Sequence, residues 1–316
     1  MIREKHPLSA SSLLLTLALM AALLAGCGGG GSDSNDQFNA PPQVNEPNAP
    51  AFVGNTATDG FNWFNFRRIQ MGLAPVTRNA LLDSAAQGHS EYQRINDTIT
   101  HEQSSLNSGF TGRQMWDRLQ NAGYRFTQAS YAYGEVISAT GYPSGFAAAE
   151  ELITAIYHRF VILEPMFTEA GSGSATVPQG YTYFTTNFTA DGLGPGLPGG
   201  EVAIYPVHDQ ANIPTVFYSD RETPDPVPDR NEVGYPVSVH ANIVSTVTVT
   251  SFTIHPRGGA PLPTRLLSYA NDSNTASSVA AIVPLNRLAS KTVYDVQFQG
   301  AVDGQQVSKS WSFTTQ

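Results

Sequence analysis

The sequence predicts an α+β protein in two parts, an α/β sandwich followed by an all-β sandwich. Three observations predict it. Residues 55 to about 165 place apolar side chains three and four positions apart, the helical period. "ADGLGPGLPGG", residues 190–200, breaks the composition. Beyond that break the period falls to two, the strand period, with turn residues at short intervals.

In the first part, "RNALLDSAAQGHSEYQRIN" sets Leu81, Leu82, Ala85, Ala86, Tyr92 and Ile95 on one helical face. "FTGRQMWDRLQNAGY" gives a second helix, with Met115, Leu119 and Ala122 inward and Gly123 as its stop. "GFAAAEELITAIYHRFVIL" reads as a third. Strand-like runs interleave at Tyr131 to Ser138 and Tyr181 to Thr189. In the second part, "YPVSVHANIVSTVTVTSFTIHP" alternates β-branched and polar residues. Asp303-Gly304 predicts a hairpin turn between Val296–Val302 and Val307–Phe313. Strands at this spacing predict a β-sandwich of immunoglobulin-like shape. His208, His240 and His255 lie there without helical partners and read as solvated or strand-face side chains.

The N-terminus predicts an exported chain. "MIREKHPLSASS" is a basic start and "LLLTLALMAALLAG" an apolar stretch of signal-peptide length, short of the roughly 20 residues a membrane span needs. Leu24-Ala25-Gly26-Cys27 resembles a lipobox, which implies cleavage before Cys27, its lipidation, and an outer-membrane address because Gly28 and not Asp follows. Cys27 is the only cysteine, so no intramolecular disulfide is available. "GGGGSDSNDQFNAPPQVNEPNAP" is too poor in apolar residues to pack and reads as a tether. Cleavage removes Arg3, Lys5 and Glu4 from 17 basic and 26 acidic side chains and leaves a net charge of −10. No basic stripe interrupts it, which argues against nucleic acid as a partner. The expected organisation is a leader at 1–26, a tether at 27–54, a first domain at 55–190, a connecting segment at 191–229 and a second domain at 230–316.

Glu135 stands in "SYAYGEVISA", a strand otherwise fit for burial, and a buried carboxylate must be paired or hydrogen-bonded. The same region contains His89, His101 and His158, so a shared site is expected. His89 lies on the apolar side of its helix and reads either as a core side chain or as a cleft ligand. Glu102, beside His101, reads either as solvated or as orienting that ring.

The ordered set His89-Ser90, Thr100-His101, "DRLQNAGY" at 117–124, Gly134-Glu135-Val136-Ile137, His158-Arg159 and "EPMFTEAGSG" at 164–173 resembles the CAP superfamily, the SCP/PR-1-like domain, in its bacterial form. The resemblance spans about residues 58–190 and departs at Val136, where Asn is commoner. It implies an α-β-α sandwich with a cleft where two His and two acids converge. His101 and His158 match the imidazoles and Glu135 the glycine-preceded acid. For the second acid, Glu151 is seven positions from His158 and would share its helical face, whereas Glu150 is rotated some 80° away. The final strand, Lys309 to Thr315, resembles bacterial Ig-like surface modules.

Two imidazoles with one or two carboxylates suit a Zn²⁺-like divalent ion, although no His-Glu-x-x-His is present. Glu135 would be an anionic ligand or a base. Other expected activities are water activation by an envelope hydrolase, binding of a small, lipid-like or envelope-polymer ligand, and adhesion through the Ig-like part. No Gly-x-Ser-x-Gly elbow offers a nucleophile.

Overall fold

The computed structural model describes residues 46–178 and 180–316, with the backbone of Arg3–Lys5. The expected cleavage and lipidation at Cys27 and most of the tether lie outside the described residues.

The first part contains helices α1 (Thr56–Gln70), α2 (Ala80–Asn96), α3 (Met115–Asn121), α4 (Gly145–Thr154) and α5 (Ile156–Ile162). They pack around strands β1 (Arg3–Lys5), β2 (Thr77–Arg78), β3 (Tyr131–Thr140), β4 (Glu169–Thr176) and β5 (Thr182–Asp191), in the sheet order β1-β3-β5-β4-β2. Capping sets the helix starts: the side chains of Asn55, Asn79 and Ser144 accept from the backbone NH of Thr58, Leu81 and Ala147. Gly123, at φ +91°, follows the end of α3 as predicted. Helix α2 lies directly on β4. A Cβ at Gly171 or Gly173 would strike the α2 backbone at Asp83 or Gln87, so the small residues of "GSGSA" are what let the helix approach. Helix α1 was not singled out in the sequence, because its buried positions include Asp59, Gly60, Arg67 and Arg68 beside the aromatics and blur the apolar face.

The last nine residues of the expected tether are pinned to α1. Glu46 accepts from Arg67 at 2.6 and 2.8 Å, and the Asp59 carboxylate accepts from the NH groups of Val53 and Gly54. Phe52 packs edge-on against Phe146.

The second part is a β domain. One sheet has the order β12-β13-β10-β6 and the other β11-β14-β15-β7, with β8 (Phe217–Tyr218) and β9 (Glu232–Val233) as a small separate pair. The strands are β6 (Ala203–Tyr205), β7 (Gln210–Ile213), β10 (Val237–His240), β11 (Val247–Pro256), β12 (Thr264–Ser268), β13 (Val279–Pro284), β14 (Val293–Val302) and β15 (Gln305–Thr315). The β14–β15 hairpin closes with Val302 opposite Gln305, and Asp303 and Gly304 both have positive φ, as the Asp-Gly signal predicts. Strands β6 and β7 come from the expected connecting segment and complete an edge of each sheet.

The expected third helix is two helices, because Ala155 is extended (φ −69°, ψ 117°). The new start is capped from the β-domain side. Glu222 accepts from Ile156 NH at 2.8 Å, Tyr157 NH at 2.7 Å and His158 NH at 3.1 Å, and its Oε1 lies 3.0 Å from His158 Nδ1. Next to it, the buried Arg159 lies between the rings of Tyr205 and Tyr235, 4.9 and 4.8 Å from their centroids, and donates to Pro236 O. A single apolar cluster runs from Phe64 and Phe188 to Tyr205, Tyr235 and Phe298, so both parts share one core.

Glu222→Ala should therefore destabilise the whole chain by roughly 2–4 kcal/mol, because three backbone donors and one ring lose a buried acceptor. A urea midpoint within error of wild type would contradict the assignment.

Candidate functional site

Glu135 lies mid-strand in β3, opposite Asn187 of β5, and is 3% exposed. Its counter-ion comes from α3. Arg118 Nη2 donates to Oε1 at 2.8 Å and Oε2 at 2.6 Å, and Arg118 itself is 1% exposed. Arg118 Nη1 donates to the carbonyls of His101 and Arg113 at 3.0 and 3.3 Å, so one guanidinium fixes both the acid and the segment that brings His101 to it. Asn187, in the amide orientation that satisfies its neighbours, adds a donor to Oε2 at 3.1 Å and accepts from Ala86 NH. Burial alone would raise the Glu135 pKa. The Arg118 charge, the His101 hydrogen bond and the nearby imidazoles outweigh it and hold the carboxyl well below the ordinary range.

His101 Nδ1 sits 2.9 Å from Glu135 Oε1, while half of the His101 side chain is exposed. A carboxylate accepts, so Nδ1 carries the proton, and Nε2 is the nitrogen left to a ligand, as a lone pair on the neutral tautomer. This is the orientation a carboxylate imposes on catalytic and ligand-binding imidazoles. No hydroxyl or thiol is hydrogen-bonded to His101 among the described residues.

His89 is fully buried with both nitrogens engaged. Nε2 donates to Thr100 O and Nδ1 accepts from Gln103 Nε2, each at 2.8 Å, with Nε2 4.0 Å from Glu135. It is a core side chain that positions the residues flanking His101. Burial, with a smaller contribution from Arg118, lowers its pKa to about 4 despite the opposing pull of Glu135. Glu102 does not orient His101, because its carboxylate pairs with Arg113 at the surface.

The sequence expectation fails for His158 as a partner of Glu135. The break at Ala155 and the Glu222 cap turn its Nδ1 to Glu222. Glu151 fails with it, since the seven-residue spacing assumed one continuous helix. Glu151 is exposed, and among the described residues no hydrogen bond or ion pair joins it to Glu135. Its neighbour Glu150 accepts from Trp63 Nε1 at 2.6 Å and pairs with Arg67. The rings of His208 and His255 are at least partly exposed, but His240 is fully buried on β10, and burial lowers its pKa to about 3.

The donors do not fit a divalent metal. Both Glu135 oxygens face Arg118, whose charge would repel a cation, and His158 is held elsewhere. Among the described residues no group of three or more His, Cys, Asp or Glu is placed to hold one. Two cavities, of about 780 and 830 Å³, open along residues 92–113 and between α1 and residues 207–212. Neither is lined by His101, Glu135 or His158.

The ordered motifs therefore fold onto one sheet and its flanking helices, and residues 61–188 match the family model described as CAP, the cysteine-rich secretory protein family. The chain carries a CAP domain. The match covers well under half of the 316 residues, and the chain's single cysteine lies outside it. Among solved structures, an extracellular protein containing an SCP domain from Bacillus anthracis is similar at 24% identity over 45% of this chain and 44% of that one, with a TM-score of 0.36. The chain thus spans under half the length of that protein. An outer surface protein from Borrelia burgdorferi is similar at 13% identity, covering 41% and 88%, with a TM-score of 0.33. Venom allergen-like protein 4 from Schistosoma mansoni is similar at 13%, covering 47% and 97%, with a TM-score of 0.29. No curated protein matches. Among the described residues of the chain, no helix is long and apolar enough to cross a membrane.

Arg118 was missed as a site residue, although it lies three positions after Met115 and four before Ala122, on the apolar face of α3. A cation on such a face signals a buried anion. Arg118→Leu should cost about 3–5 kcal/mol by leaving Glu135 buried and unpaired, and adding Glu135→Leu should recover part of that in chemical denaturation. An Arg118→Leu protein as stable as wild type would refute the pairing.

The folded state keeps His89 neutral, whereas the unfolded chain protonates near pH 6.5. The His89 contribution, complete above that value, should be lost as the pH falls towards 4. It amounts to about 3 kcal/mol, and His240 adds a loss of the same sign. His89→Gln should flatten the decline of melting temperature between pH 6.5 and 4, and an unchanged slope would count against a neutral buried ring.

Proposed function

We propose that the protein is a lipid-anchored CAP-domain protein of the bacterial cell envelope whose His101, oriented by Glu135, binds a polar group of a small or lipid-like ligand without turning it over. The observation that carries the reading is the half-exposed His101 ring hydrogen-bonded to a carboxylate that is itself locked by a buried arginine. Such an imidazole offers one fixed, outward lone pair, which accepts a hydrogen bond from a hydroxyl, amide or protonated ligand group. The lipobox-like Leu24 to Cys27 supports the anchor, and the acidic balance of the chain supports a ligand that is not a polyanion.

The hydrolase reading has less support. His101 Nε2 is able to take a proton from water, but among the described residues no side-chain nucleophile is hydrogen-bonded to the ring to form a covalent intermediate.

Native mass spectrometry of the protein purified from its envelope fraction should detect a co-purifying small molecule, and His101→Ala should lose it while remaining folded. Equal ligand occupancy in the two proteins would sink the proposal. Turnover of peptide or ester substrates that disappears in His101→Ala would replace binding with hydrolysis.

A further inference from the structure

The segment that delivers His101 to Glu135 also walls the 780 Å³ cavity, whose volume is that of a small-ligand site. Thr100 and Glu102, the neighbours of His101, line it, whereas His101 does not. The wall is built by side chains that spend one end on the protein and, among the described residues, leave the other unbonded. Tyr92 Oη accepts from Ser104 NH and from Asn107 Nδ2, and among the described residues no donor meets the Asn107 side-chain carbonyl. Asn96 spends its amide nitrogen on the carbonyls of Tyr92 and Ser108, and Asp97 gives one oxygen to the Tyr183 hydroxyl. Thr98 adds a further hydroxyl, and Phe110, 40% exposed, is an aromatic surface in the same wall.

This chemistry is selective. Acceptors outnumber cationic donors, and Arg113 is already paired with Glu102, so an anion finds no counter-charge. A single unpaired carboxylate, Asp97, does not make a cation site. What fits is a neutral ligand with many hydroxyl donors and an apolar face of C–H groups: hydroxyls to Asp97 and the Asn carbonyls, ring face to Phe110. We propose that this cavity is a second binding site, distinct from the His101 site, that takes a neutral oligosaccharide.

The test is amide chemical-shift perturbation on the full chain, with maltotetraose, cellotetraose and the tetramer of N-acetylglucosamine as probes at about 5 mM, a concentration that reports millimolar affinity. At least one should give saturable shifts centred on residues 96–110, weakened at least about tenfold by Phe110→Ala and by Thr98→Val and preserved in His101→Ala. No saturable shift with any probe, or shifts that Phe110→Ala and Thr98→Val leave unchanged, overturns the proposal. So does co-sedimentation with phosphatidylethanolamine/phosphatidylglycerol vesicles that Leu106→Asp abolishes, because it would assign this surface to a bilayer through the 93% exposed Leu106.

Discussion

The contact between Glu135 and Arg118 is the constraint around which the first part is arranged. An ionised carboxylate in the middle of a sheet is tolerable only with a cation and further donors around it, and here the cation is equally buried. Meeting that demand fixes much else. Arg118 must come from a helix laid against the sheet, its Nη1 ties down the carbonyls of His101 and Arg113, and the fully buried His89 holds Thr100 and Gln103. The residues around His101 are thus built as a scaffold, and the one ring left half in water is the one the scaffold aims.

Much of the fold, though not the Arg118 partner, was legible in the residues. Helices α2 and α3, the strand around Glu135 and the Asp303-Gly304 hairpin follow from period, turn chemistry and stop signals, all local properties. That Glu135 needs partners was legible because a charge in an apolar strand demands them, and the family resemblance pointed to His101 as one. What was not legible is tertiary. "GFAAAEELITAIYHRFVIL" is apolar throughout and has no Pro to mark a break. The break at Ala155 depends on Glu222, about seventy residues downstream in a Pro-rich stretch with no helical or strand period. A wheel drawn through an unbroken helix therefore put Glu151 on the face of His158, which the family resemblance had already assigned to the Glu135 site, and neither residue meets Glu135. Strands β6 and β7 escaped notice for a similar reason. They are three and four residues long and exist only as edges for strands that follow them in the chain.

The His158-Arg159 pair works away from the Glu135 site. His158 meets Glu222, and Arg159 is clasped by Tyr205 and Tyr235. Both belong to the junction between the two parts. The α5 start thus borrows its acceptor from outside the stretch that bears the family motifs. A gene rearrangement that carried residues 61–188 alone to a new partner would transplant every signature yet leave that helix without its anchor. In this protein, the unit that keeps α5 anchored is longer than the stretch its signatures define.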